Sequence, residues 1–89
     1  MSLLTPKMTT TGIILLKALN QKQFKPIKEI QTDLKLLGMN LNQKTIYARL
    51  EKLASKKLCH QKWQEGLKIY GLSKMGKREL DLFKTQLLA

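Results

Sequence analysis

The run Gln43-Lys44-Thr45, continued by Tyr47, Ala48, Glu51 and Lys52, holds the residues best suited to recognition chemistry in this sequence. At 100° per residue, Lys44, Ala48, Glu51, Lys52 and Ser55 fall on the side of a helix opposite Ile46, Leu50 and Leu53, with Thr45 and Tyr47 on its flanks. A glutamine amide can pair with the edge of adenine, and a lysine ammonium with guanine. Thr45 and Tyr47 carry hydroxyls suited to phosphate oxygens, which fix depth and register on a duplex without reading sequence. Asn42 is better placed as the helix cap than as a reader of bases. Spacing alone fits a merely solvated helix face equally well, so the decision for DNA falls to charge together with longer motifs.

Seventeen Lys and Arg stand against six Asp and Glu, a formal charge of +11 on 89 residues. So much like charge on one small domain repels itself unless a polyanion neutralises it, so nucleic acid or an anionic membrane surface is the first partner to consider. Further cations flank the helix. Lys56 and Lys57 follow it, and Lys22, Lys25 and Lys28 lie around the start of the preceding helix, whose N-terminus can receive phosphate. A later segment adds Lys62, Trp63 and Lys68, suited to a phosphate strand or the minor groove. Packing is the commoner role for a residue such as Trp63, and contact with nucleic acid is its alternative.

Other chemistry is excluded by what is scarce. The single cysteine, Cys59, and single histidine, His60, cannot make an intramolecular disulfide or a two-histidine metal site. If they lie on a strand, adjacent residues point to opposite faces, so they form no dyad; Cys59 is expected to be a buried thiol and His60 a structural residue. The carboxylates are dispersed, and no phosphate-binding glycine loop or nucleophile motif is present. No enzyme activity, cofactor or metal is expected. The longest apolar run, Ile13 to Leu16, is far short of the ~20 residues that span a bilayer. With no signal-peptide pattern, the expectation is a cytoplasmic protein without a membrane partner.

These residues need elements to position them. A first helix is expected from about Thr10 to Gln21, with Ile13, Leu16, Leu15 and Leu19 on its apolar side. A second opens near Pro26 as a first-turn proline and carries Ile27, Ile30, Leu34 and Leu37 inward. Gly38 stands where a left-handed residue closes a helix. The third, from about Gln43 to Lys56, follows a short connection, which makes a helix-turn-helix. Leu58 to Gln64 and Leu67 to Leu72 then read as a hairpin around Glu65-Gly66. A two-residue loop puts Cys59, Gln61 and Trp63 on one face with Lys68, Tyr70 and Leu72, whereas a three-residue loop would flip one strand. Ser73 caps a last helix, roughly Lys74 to Leu88, with Leu80, Phe83 and Leu87 on one stripe and Met75 and Leu82 nearly opposite.

This order describes an α+β, mainly α fold: a winged helix-turn-helix of three helices, a two-stranded wing and an additional C-terminal helix. Residues 1–8 form a leader, 9–73 the DNA-binding domain, and 74–89 a helix shared between core and dimerisation. A last helix that is apolar on two sides, together with Leu3 and Leu4 in the leader, suggests a homodimer through Leu3, Leu4, Met75 and Leu82.

The segment Thr45-Ile46-Tyr47-Ala48-Arg49-Leu50-Glu51-Lys52-Leu53 resembles the recognition helix of PadR-like winged-helix regulators: Thr, an aliphatic, Tyr, then Leu three and six residues after the Tyr. Tyr70-Gly71-Leu72-Ser73-Lys74-Met75-Gly76 is similar to the family's junction from wing to last helix. The resemblance spans about Ile27 to Leu80, and MarR-like and several archaeal, phage and plasmid winged helices share similar junctions. Together with the net charge it decides for double-stranded DNA over a merely solvated face. It implies a dimeric transcriptional repressor on a pseudo-palindromic site, with no indication of an inducer. Two departures stand out. Lys57 occupies a position that is usually Gly in the family, and the sequence stops at Ala89, short of the long dimerisation region of larger members. Two rivals stay open: a plasmid or phage centromere- or origin-binding adaptor, and a winged helix that binds protein.

Overall fold

In the computed structural model the chain is described from residue 10 to 88, and its side chains from 11 to 84. Helix α1 (Thr10–Ala18) leads to a short strand β1 (Lys25–Pro26), then α2 (Ile27–Leu36) and α3 (Gln43–Ser55). A hairpin of β2 (Cys59–Gln64) and β3 (Leu67–Leu72) follows, and α4 (Lys74–Leu88) comes last. The sheet is antiparallel in the order β1-β3-β2.

Helix α1 sits at the centre. Ile13, Leu15, Leu16, Ala18 and Leu19 are all buried, so nearly its whole circumference is covered, chiefly by α2, α3 and α4. Ile30 and Leu34 of α2, Ile46, Leu50 and Leu53 of α3, and Tyr70, Leu72 and Leu80 complete the core. Each such side chain contributes roughly 1.5–3 kcal/mol through burial. The inward stripe of α3 is therefore the expected one, and the polar face of that helix is held outward by its own core residues.

The ends of the elements follow from local chemistry. Asn42 caps α3 by accepting from the Thr45 N–H at 2.8 Å. Gly38, at φ +86°, closes α2, with Met39 N–H donating to the Leu34 carbonyl at 2.8 Å and Gly38 N–H to Lys35 at 3.0 Å. Leu37 is the residue just before that turn, and it is partly exposed rather than inward as its spacing suggested. The end of α3 repeats the geometry with Lys57 at φ +63° in the place of glycine. Its N–H reaches the Ala54 carbonyl, and Leu58 N–H the Leu53 carbonyl, both at 2.9 Å.

Three boundaries differ from expectation. Helix α1 stops at Ala18, because Asn20 turns the chain: its side chain accepts from the N–H groups of Lys22 and Gln23, and its carbonyl from Leu72 N–H. Pro26 is the extended cap of α2 (φ −76°, ψ 164°), not its first turn, because Lys25 and Pro26 pair with Tyr70 and Ile69. That pairing adds a third strand to the expected two-stranded wing. Helix α3 ends at Ser55, one residue early.

The hairpin uses the two-residue loop, with Glu65 and Gly66 both at positive φ and Trp63 opposite Lys68, Gln61 opposite Tyr70, and Cys59 opposite Leu72. Ser73 joins the wing to α4. Its hydroxyl accepts from Gly76 N–H at 2.9 Å and donates to the Lys57 carbonyl at 2.8 Å. Gly76 lies so close to the Leu58 carbonyl that no Cβ fits there.

Candidate nucleic-acid interface

The outward side of α3 presents Gln43, Lys44, Ala48 and Lys52, all exposed, with Thr45 half-buried at its margin. Lys44, Thr45, Ala48, Arg49 and Lys52 line an open groove of about 450 Å³. Ala48 is the small residue among three cations there, which leaves room for a polyanion beside the helix. Arg49 is absent from the expected contacts. Its signal is present in the sequence, since Thr45, Arg49 and Lys52 follow one another at helical steps of four and three. An arginine there offers a fixed fork of donors to phosphate or to guanine.

The wing meets the other flank of α3. Lys68 Nζ donates to Glu51 Oε2 at 2.8 Å, and the Tyr70 hydroxyl donates to the same oxygen at 2.8 Å. The ammonium also lies 5.4, 5.8 and 6.0 Å from the ring centroids of Tyr47, Trp63 and Tyr70, within cation–π range. The Lys68 and Tyr70 hydrogen bonds hold the Glu51 carboxyl below its ordinary pKa. The bond that Lys68 donates to Glu51 raises the Lys68 ammonium, and burial, aided by the bond to Glu51, raises the Tyr70 hydroxyl. Glu51 and Lys68, both expected to face a nucleic acid, thus face each other. Their charges largely cancel, and the pair ties the wing to α3.

The hairpin's other expected residues divide between its two faces. Trp63 shares the face of Lys68 and stands 70% exposed near the tip, outside the core that its residue type suggested. Lys62 lies on the opposite face, its Nζ 4.7 Å from the centroid of Phe24, which itself stacks on His60. Lys28 and Lys56 are exposed at the start of α2 and just after α3. Lys25 is engaged inside the fold, bonded to Asp33 at 2.6 Å and to the Ala18 carbonyl at 3.1 Å. Cys59 is buried, its thiol pushed up to about 11 by burial, and His60 is exposed on the other side of the strand.

On α4, Met75 and Leu82 are 51% and 52% exposed on the side away from buried Leu80. Leu3 and Leu4 lie outside the described residues, as does the side chain of Leu87. Among the described residues no helix is long and apolar enough to cross a membrane. No cluster of three or more metal-ligating side chains occurs among them either.

Comparison of the whole fold places this geometry. A PadR family transcription regulator from Clostridium difficile R20291 superposes with a TM-score of 0.77, covering 88% of this chain and 86% of its own, at 23% identity. The fold is that of a PadR-like winged helix. The same fold is shared more widely. BpsR of Bordetella bronchiseptica, a protein whose DNA binding is regulated by 6-hydroxynicotinic acid, matches with a TM-score of 0.77 at 16% identity. That match covers 91% of this chain and 56% of BpsR, so the chain spans little more than half of that protein. MepR of S. aureus, solved in complex with DNA, matches with a TM-score of 0.73 at 20% identity over 88% of this chain and 63% of its own. No protein-family model matches the sequence, and no curated protein matches it.

Proposed function

We propose that this PadR-like winged helix is a sequence-specific double-stranded DNA-binding protein, acting as a dimeric transcriptional repressor. The carrying observation is the outward face of α3. Lys44, Thr45, Arg49 and Lys52 line a groove with the small Ala48, on a helix whose opposite stripe is locked in the core. Helix α3 enters the major groove, with Gln43 and Lys44 at base edges and Thr45, Tyr47, Arg49 and Lys52 toward phosphates. The wing follows the backbone or minor groove with Trp63 and Lys62, and Lys28 and Lys56 add phosphate contacts. Glu51 and Lys68 contribute by fixing the wing's position. Two copies pair through Met75 and Leu82 of α4, with Leu3 and Leu4 assigned to the same interface, and read half-sites about one helical turn apart. The solved relatives support this reading: PadR-family regulators share the fold, and MepR carries it onto DNA.

The test is selection from random duplex DNA across a salt series, followed by sequencing. A pseudo-palindrome supports the repressor reading, and clustered direct repeats would replace it with a centromere- or origin-binding adaptor. Binding that fades with salt and enriches no sequence would refute specificity. No binding at low salt would leave a protein-binding winged helix as the better account.

A further inference from the structure

Gln31 of α2 is half-buried at the seam between the two helices of the helix-turn-helix. Its Nε2 donates to the Leu41 carbonyl at 2.9 Å, and its Oε1 accepts from Gln43 Nε2 at 3.3 Å. The polarity of this chain is not arbitrary. A carbonyl can only accept, so Leu41 takes the NH2 end of Gln31 and turns its oxygen toward Gln43. Gln43 must answer with its own NH2 end. One of its two N–H bonds is thereby used, leaving one N–H and an oxygen with free lone pairs. Gln43 is the first residue of α3 and is exposed, so those remaining groups are available to a ligand.

We infer that Gln31 is a positioning residue that fixes the amide of Gln43 in the polarity that reads adenine. The free N–H of Gln43 donates to adenine N7, and its oxygen accepts from adenine N6, the bidentate pairing available in the major groove. A glutamine left to rotate presents either end and reads a position poorly. One held by a neighbour discriminates without paying to be ordered on binding. The inference rests on the proposed placement of α3 in DNA and adds to it one A·T pair per half-site whose recognition depends on a residue that touches no base.

The experiment is selection from random duplex DNA with the full chain and three variants: Gln43→Ala, Gln31→Met and the double variant of the two. Salt dependence and thermal stability are measured alongside. Gln31→Met keeps the side-chain length but neither accepts nor donates as an amide, and it should lose preference for adenine at one position about tenfold, the scale of one bidentate contact. Gln43→Ala should lose preference at the same position, and the double variant no more than either alone. The salt slope of Gln31→Met should match the parent's, a readout that a general loosening of the helix pair would not preserve together with unchanged melting. If Gln43→Ala alters one position and Gln31→Met does not, the inference falls and the DNA reading stands. If the parent chain enriches no site, the DNA reading falls and takes this inference with it.

Discussion

Lys57 gives a stability prediction that the geometry makes quantitative. It holds φ +63° at the end of α3, in a turn closed by two backbone hydrogen bonds of 2.9 Å and by the Ser73 hydroxyl on its carbonyl. With so many partners fixed, the turn cannot relax to relieve the side chain. A residue with a Cβ in this conformation costs roughly 1–2 kcal/mol. Glycine avoids that cost but loses more chain freedom on folding, about 0.5–1 kcal/mol. Lys57→Gly should therefore stabilise the fold by a net ~0.5–1 kcal/mol, which raises the melting temperature of a domain this size by about 2–8 °C. Removing a cation from a chain of +11 also relieves repulsion, so Lys57→Ala is the reference: it removes the charge and keeps the strain. Gly38→Ala supplies the converse, since a Cβ there meets nothing within 4 Å and only the φ of +86° is at stake. It should destabilise by a similar ~0.5–1 kcal/mol. Thermal melts and urea titrations followed by circular dichroism measure all three, with the urea slope expected unchanged. If Lys57→Gly is no more stable than Lys57→Ala, the left-handed turn is not strained and the reasoning fails.

Other outcomes follow from the site and its supports. Gly76→Ala would drive a Cβ into the Leu58 carbonyl and should cost about 1–3 kcal/mol in urea unfolding. Arg49→Ala should weaken binding to all duplexes and lower the slope of log affinity against log salt by about 1; an unchanged slope would remove Arg49 from the phosphate contacts. The lowered pKa of Glu51 means that its contribution is present above the ordinary carboxyl value of 4.5 and is lost as pH falls through the folded value. Stability of the parent should therefore drop more on acidification below that value than stability of Glu51→Gln, as measured by urea unfolding at successive pH values. Cys59 has the opposite sign: its raised pKa leaves stability intact below about 9 and removes it as pH rises toward about 11. Cys59→Ala should show a shallower alkaline decline.

The sequence made the helices and the hairpin legible because their signals are local. Periodic leucines and isoleucines, an Asn cap, a closing Gly38 and a Glu65-Gly66 turn each act within a few residues. Strand β1 was not legible, since two residues become a strand only through pairing with Ile69 and Tyr70, more than forty positions away. Leu37 misled for a related reason. Helical spacing assigns it inward, but the turn at Gly38 swings the chain off the helix axis just there. In the candidate site, residue types foretold the polar face of α3 but not its internal commitments. Glu51 and Lys68 sit seventeen positions apart, and nothing short of the fold shows that they neutralise one another. Arg49 was legible in principle, standing four residues after Thr45 and three before Lys52 on one side of the helix.

The joint between α3 and α4 has a consequence for engineering. Ser73 bonds the turn that ends α3 and caps α4, and Gly76 lets the two backbones touch. Such an elbow has no slack, so α4 acts as a handle that aims α3. A foreign coiled coil grafted in phase onto α4 would set the separation and tilt of two reading heads. Each residue inserted at the graft would turn the head by about 100° and shift it by about 1.5 Å. On the proposed function, the spacing of sites on DNA would become a choice made in the handle, with the outward face of α3 left untouched.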